Sequence, residues 1–155
     1  MQLTPENQTK LDEIVKRYPA KRSAILPALH IAQEQEGYLS REVMEHVAAL
    51  LDLTPAQVHD AASYYSMFRF KLGGKTHIEI CTNLSCALAG ADGLVESTCR
   101  KLGVGVGETT ADGRFTMVPI VCLGACDHAP TLRIDGDLHH DVDPARIDGV
   151  LEKYA

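Results

Sequence analysis

The stretch THIEICTNLSC (residues 76–86) alternates polar and apolar side chains up to Ile80, then breaks into a loop bounded by two cysteines. Further along, FTMVPIVCLGAC (115–126) does the same: a β-like run, then a loop bounded by two cysteines. Ile78 and Ile80 set against His77 and Glu79 have the period of a half-buried strand. The second run follows Asp112-Gly113, a turn pair, and predicts a second strand over 115–121. Between the two, Val95, Cys99 and Leu102, with Leu94 beside them, fall on one face of a helix expected over roughly 91–102. If that helix joins two parallel strands, both cysteine loops leave the same edge of the sheet. Open α/β sheets gather ligands beyond the carboxyl ends of their strands.

Four thiols would then converge: Cys81 and Cys86 spaced C-x4-C, Cys122 and Cys126 spaced C-x3-C. Such a set can hold a [2Fe-2S] cluster, which takes four cysteines, two per iron. It can also hold a structural zinc, although zinc loops usually place two residues between ligands. Two disulfides would be unusual in a chain with an odd count of five cysteines and no visible export signal. Spacing therefore favours iron–sulfur and leaves zinc and redox thiols open. Neighbouring motifs fail: plant-type ferredoxin ligation would need a cysteine where Ala89 stands, Cys126-Asp127-His128 is half of a Rieske pattern without its mate, and C-x-x-C is absent. Cys99 is expected in the core, where free cysteine usually lies. Gly124 is the candidate for a permissive turn inside the second loop, and Asp127 and His128 are read as exposed loop residues.

Working outward, residues 1–72 have helical periodicity. Thr4-Pro5 opens one helix with Leu11, Ile14, Val15 and Tyr18 on a face. A second is expected from about Ser23 to Gly37, and a third from Ser40 with Val43, Val47, Leu50 and Leu51 inward. Thr54-Pro55-Ala56-Gln57 is a capping box for a fourth. Nothing in these helices reads as catalytic, and a packing or docking role is expected. YYSMFRF (64–70) is read as core. Gly73-Gly74 breaks both periodicities and marks a boundary. After the second cysteine loop, Asp135-Gly136 predicts a two-residue hairpin turn, His139 and His140 follow it as exposed strand residues, and Asp143-Pro144 is expected to start a last helix. GVGVG (103–107) lacks the further residues of a nucleotide loop and reads as the exit of a helix.

The 155 residues are 45% hydrophobic and carry a net charge of −6. An acidic chain without a basic cluster is a poor nucleic-acid binder. No secretory signal is visible in the first thirty residues, so none is expected, and no apolar run reaches membrane-spanning length. The expected architecture is α+β: a small helical bundle over 1–72, then an α/β sandwich of thioredoxin-like outline over 73–155.

EICTNLSCALAGADGL (79–94) and GETTADGRFTMVPIVCLGACDHAP (107–130), with AILPALHIAQEQEGYLS (24–40) and AASYYSMFRF (61–70), resemble the 24-kDa subunit family of NADH:quinone oxidoreductase, complex I. Related subunits serve NAD-dependent formate dehydrogenases and NAD-reducing hydrogenases. The resemblance implies a thioredoxin-like domain carrying one [2Fe-2S] cluster on Cys81, Cys86, Cys122 and Cys126. It implies one-electron exchange with FMN in a partner flavoprotein of the 51-kDa family, which also oxidises NADH, so that neither FMN nor NADH sits on this chain. It further implies a bacterial, cytoplasmic subunit held at the inner membrane only through its complex. Ending at Ala155, the chain is expected to lack the C-terminal extension of some relatives, an expectation that favours the bacterial complex I subunit and leaves the formate dehydrogenase and hydrogenase relatives open.

Overall fold

The computed structural model describes residues 2–154; Met1 and Ala155, and with them the expectation about the chain's end, lie outside the described residues. The chain divides into two compact units, Met1–Leu72 and Gly73–Ala155.

The first unit is helical. Thr4 Oγ1 caps α1 (Pro5–Val15) by accepting from the Asn7 N–H at 3.3 Å. A 3₁₀ turn, Lys21–Ala24, leads into α2 (Ile25–Glu36), which ends at Gly37 in the left-handed conformation. Ser40 caps α3 (Arg41–Leu51). Thr54 and Gln57 form a complete capping box on α4 (Pro55–Tyr64). Leu11, Leu29, Val47, Leu51, Val58 and Phe68 meet in one core. Tyr18, expected on the face of α1, lies beyond its end and is 40% exposed.

YYSMFRF divides rather than burying whole. Phe68 is core and Tyr65 and Met67 pack against it, but Tyr64 is 82% exposed. The buried side chain of Gln33 holds this segment in place, donating to the Met67 carbonyl at 3.0 Å and accepting from the Arg69 N–H at 2.7 Å. A buried amide satisfied on both sides fixes a path that alternation alone could not predict.

The second unit is a four-stranded mixed sheet in the order β2-β1-β3-β4. β1 (Thr76–Cys81) and β2 (Phe115–Ile120) run parallel, with Ile78 opposite Met117 and Cys81 opposite Ile120. Pro119 is tolerated because β2 is an edge strand and needs no donor on its outer side. β3 (Leu132–Ile134) pairs antiparallel with β1, and β4 (Asp137–His139) antiparallel with β3, across a turn in which Asp135 and Gly136 both have positive φ. Between β1 and β2 lie a one-turn helix, α5 (Leu84–Leu88), and α6 (Ala91–Leu102). Ile78, Ile80, Leu94, Met117, Leu132 and Ile134 fill the core with Ile147 of α7 (Ile147–Leu151).

Two expectations are corrected here. The last helix does not start at Asp143-Pro144: the Asp143 carboxylate binds the N–H groups of Ala145 and Arg146 in a turn, and the helix begins four residues later. His139 is not exposed but half-buried, its Nε2 2.8 Å from the Tyr154 hydroxyl. No helix among the described residues is long and apolar enough to cross a membrane.

Candidate metal centre

The parallel register sets the carboxyl ends of β1 and β2 side by side, and both cysteine loops begin there. Thr82 locks them together, its N–H and hydroxyl both donating to the Ile120 carbonyl at 3.0 and 3.2 Å. Cys81, the last residue of β1, is buried. Asn83 then caps α5 by accepting from the Leu84 N–H at 2.7 Å, and that single turn returns Cys86 to the interior beside Cys81, where both pack with Ala91. Cys86 was expected in an irregular loop; the signal for α5 was Asn83, a preferred N-cap residue.

The second loop is more open. Cys122 is exposed, and Cys126 is exposed at the start of a 3₁₀ turn, Cys126–His128. Thr131 anchors this loop: its hydroxyl lies 2.7 Å from the His128 carbonyl, and its own carbonyl accepts from the Cys81 N–H at 3.1 Å. Nothing in the sequence reading singled out Thr131. It is fully enclosed, and its role depends on a contact fifty residues away in the chain.

The electrostatics bind the two loops into one site. Burial pushes the Cys81 thiol up, but the N–H groups of Asn83 and Leu123 and the thiols of Cys86 and Cys122 outweigh it and hold Cys81 below the ordinary thiol value. Burial raises Cys86; the Thr131 N–H opposes, while Cys81 and the charge of Cys126 add to the rise. The Gly124 N–H donates to Cys122 Sγ at 3.3 Å. Four thiols thus share one neighbourhood with backbone N–H groups directed at sulfur. Thiolates ligate soft transition metals, and N–H donors stabilise the negative charge that a tetrathiolate iron–sulfur core carries. The donor set fits a [2Fe-2S] cluster. Among the described residues no three His, Cys, Asp or Glu side chains are drawn together as a ready cage for one metal ion.

Cys99 does not join the four. It packs on the sheet core with Val95 and Leu102, half-buried, and burial, then the Glu108 charge, raises its thiol. Asp127 is largely exposed, whereas His128 is less so than a free loop residue: its Nδ1 is 3.4 Å from Asp141, and its ring lies 4.8 Å from that of His140. Around the thiols three apolar side chains face solvent, Leu84 at 71%, Leu88 at 82% and Val121 at 71% exposure.

Residues 11–155 match the family model of the thioredoxin-like [2Fe-2S] ferredoxin. The NADH-quinone oxidoreductase subunit designated E 2 in Rhizobium meliloti is 40% identical over 94% of this chain and 86% of its own. The NADH-quinone oxidoreductase subunit designated E in Rickettsia felis is 39% identical over 97% of this chain and 92% of its own. Among solved structures, an NAD+-reducing [NiFe]-hydrogenase in the air-oxidised state aligns with a TM-score of 0.67 at 25% identity, over 82% of this chain. This chain spans only 22% of that hydrogenase chain. With the family model spanning nearly the whole sequence, and the two cysteine loops at the ends of parallel strands, the chain belongs to the thioredoxin-like [2Fe-2S] ferredoxin family.

Proposed function

We propose that this chain is the electron-transfer subunit of the NADH-oxidising part of an NADH-quinone oxidoreductase, with Cys81, Cys86, Cys122 and Cys126 holding one [2Fe-2S] cluster. The observation that carries this reading is the gathering of the four thiols on two loops at the ends of parallel strands, with N–H donors turned toward their sulfurs. When bound, the cluster supplies one-electron redox chemistry. The residues of this chain do the rest. The Cys81 thiol is held below its ordinary value because its neighbours favour the charged form that a metal takes. The Gly124, Leu123, Asn83 and Thr131 N–H groups offset negative charge at sulfur.

The electron partner in this reading is a flavoprotein of the 51-kDa family bearing FMN and NADH. The exposed Leu84, Leu88 and Val121 around the thiols suit it, because an apolar rim expels water from a docked contact. The helices of residues 1–72 form a small bundle whose role is to dock onto the complex, and the subunit sits at the cytoplasmic side of the inner membrane through its partners alone. An equivalent place in an NAD-reducing hydrogenase is the second reading, favoured by the TM-score of 0.67 to that enzyme.

Iron, zinc and acid-labile sulfide per chain, measured on anaerobically purified protein with EPR before and after dithionite, test the proposal. It requires about two irons and two sulfides and a rhombic signal only after reduction. One zinc with no sulfide, in protein made with iron available, would replace it by a structural module.

A further inference from the structure

A cavity of about 430 Å³ lies where the end of β4 faces α7, apart from the four thiols. His139, His140, Arg146 and Lys153 line it, and Val142 and Val150 give it an apolar wall. The chain as a whole has 21 acidic residues against 15 Lys and Arg, yet none of the described residues lining this cavity is an Asp or a Glu. Among the described residues neither Arg146 nor Lys153 forms an ion pair.

Two acids between the lining residues in sequence, Asp141 and Asp143, are engaged elsewhere. Asp143 is occupied by backbone N–H groups at 2.9 Å, and Asp141 lies 3.4 Å from His128. The Asp141 carbonyl accepts from Arg146 Nη1 at 2.9 Å, which steadies the guanidinium at the cavity. Tyr154 donates its hydroxyl proton to Asp137 at 3.0 Å, so His139 Nε2, 2.8 Å from the same hydroxyl, serves as donor. That leaves Nδ1 as the atom at which His139 takes up a proton.

We propose that this cavity binds a phosphate monoester, its phosphate held by Arg146 and Lys153 beside His139 and His140 and its organic part against Val142 and Val150. A guanidinium fork and an ammonium match phosphate oxygens in geometry and charge. The space exceeds what an inorganic ion needs, and the apolar wall gives an attached organic group a surface to cover. The site also carries an electrostatic deficit that such a ligand would relieve. Burial lowers the proton affinity of His139 and Lys153 lowers it further; Asp137 opposes and His140 adds to the lowering. A bound dianion would offset the repulsion that His139 meets from Lys153 and His140.

Calorimetric titration of the full chain with AMP, inorganic phosphate and vesicles containing phosphatidic acid tests this, with potassium chloride at matched ionic strength as control. Saturable binding at millimolar concentration or below, roughly −4 kcal/mol or stronger, is expected. AMP should bind more tightly than phosphate. Binding should weaken at least about tenfold in Arg146→Gln/Lys153→Gln. Lys153→Gln alone removes no side-chain hydrogen bond among the described residues and must also weaken it, with the thermal midpoint unchanged. Vesicle binding without AMP binding, lost in the same variants, would assign the phosphate to a lipid headgroup; AMP binding alone would assign it to a soluble ligand. No saturable binding by about 10 mM of either small anion, together with no vesicle binding, overturns the proposal. So does binding that both variants leave intact.

Discussion

The Gly124 N–H points at the sulfur of Cys122 from 3.3 Å, and Gly124 does so with a φ of +75°. The second cysteine loop therefore reaches its sulfur through a backbone conformation that side chains disfavour. A Cβ at Gly124 would meet no atom within 4 Å, so Gly124→Ala carries only backbone strain, about 1–2 kcal/mol. The expected outcome is a folded protein that loses iron and sulfide faster on warming, followed by visible absorbance. Gly124→Asn should recover part of the loss, since asparagine tolerates this region. Equal cluster retention in wild type and Gly124→Ala would show that the N–H···S contact does not matter.

Cysteine replacement separates ligand from core. Cys81→Ala, Cys86→Ala, Cys122→Ala and Cys126→Ala should each abolish the iron and sulfide content. Cys99→Ala should keep both, because Cys99 packs on the sheet core instead. Iron loss in the Cys99 variant, or full iron in any of the other four, would redraw the ligand set.

Gly73 and Gly74 look equivalent in sequence but differ in their surroundings. A Cβ on Gly74 would lie 2.7 Å from the Arg114 carbonyl oxygen, which is backbone, whereas one on Gly73 would meet only side-chain atoms, the His77 ring and Thr116 Oγ1, the latter at 3.0 Å. Gly74 also donates its N–H to Thr116 Oγ1 at 2.6 Å. Gly74→Ala should cost about 1–3 kcal/mol, in the range of overpacked sites, and Gly73→Ala distinctly less. Urea denaturation of the two variants checks the order.

His139 ties stability to pH. Its folded-state affinity for protons is lowered, first by burial and then by Lys153, with Asp137 opposing and His140 adding. The unfolded chain therefore takes up a proton at this residue near the ordinary histidine value, about 6.5, while the folded chain does so only at lower pH. This contribution is fully present above that value and is lost as pH falls through it toward the folded value. His139→Asn should flatten the stability profile below about pH 7. A parallel profile in wild type and variant would refute the assignment.

Local chemistry carried most of the reading from sequence. Thr4, Ser40 and the Thr54–Gln57 box start helices because capping acts within four residues. Asp135-Gly136 turns the hairpin for the same reason of short range. The alternation of Ile78 and Ile80 gave β1, and the cysteine spacing marked the two loops at the strand ends while leaving iron–sulfur, zinc and redox thiols open.

What tertiary structure alone decided was each feature that depends on partners distant in the chain. The parallel register that brings the two loops together pairs Cys81 with Ile120, and the Thr131 anchor joins the end of β1 to the segment before β3. The division of YYSMFRF into buried and exposed residues follows from Gln33. The late start of α7 follows from Asp143 binding the next two N–H groups instead of leading straight into a helix. The basic cavity joins residues from a strand end and a helix that no linear pattern connects. Hydrophobic period and capping are properties of neighbours along the chain. Convergence of charge and of thiols is a property of packing, set by which distant backbone groups satisfy one another once the core has closed.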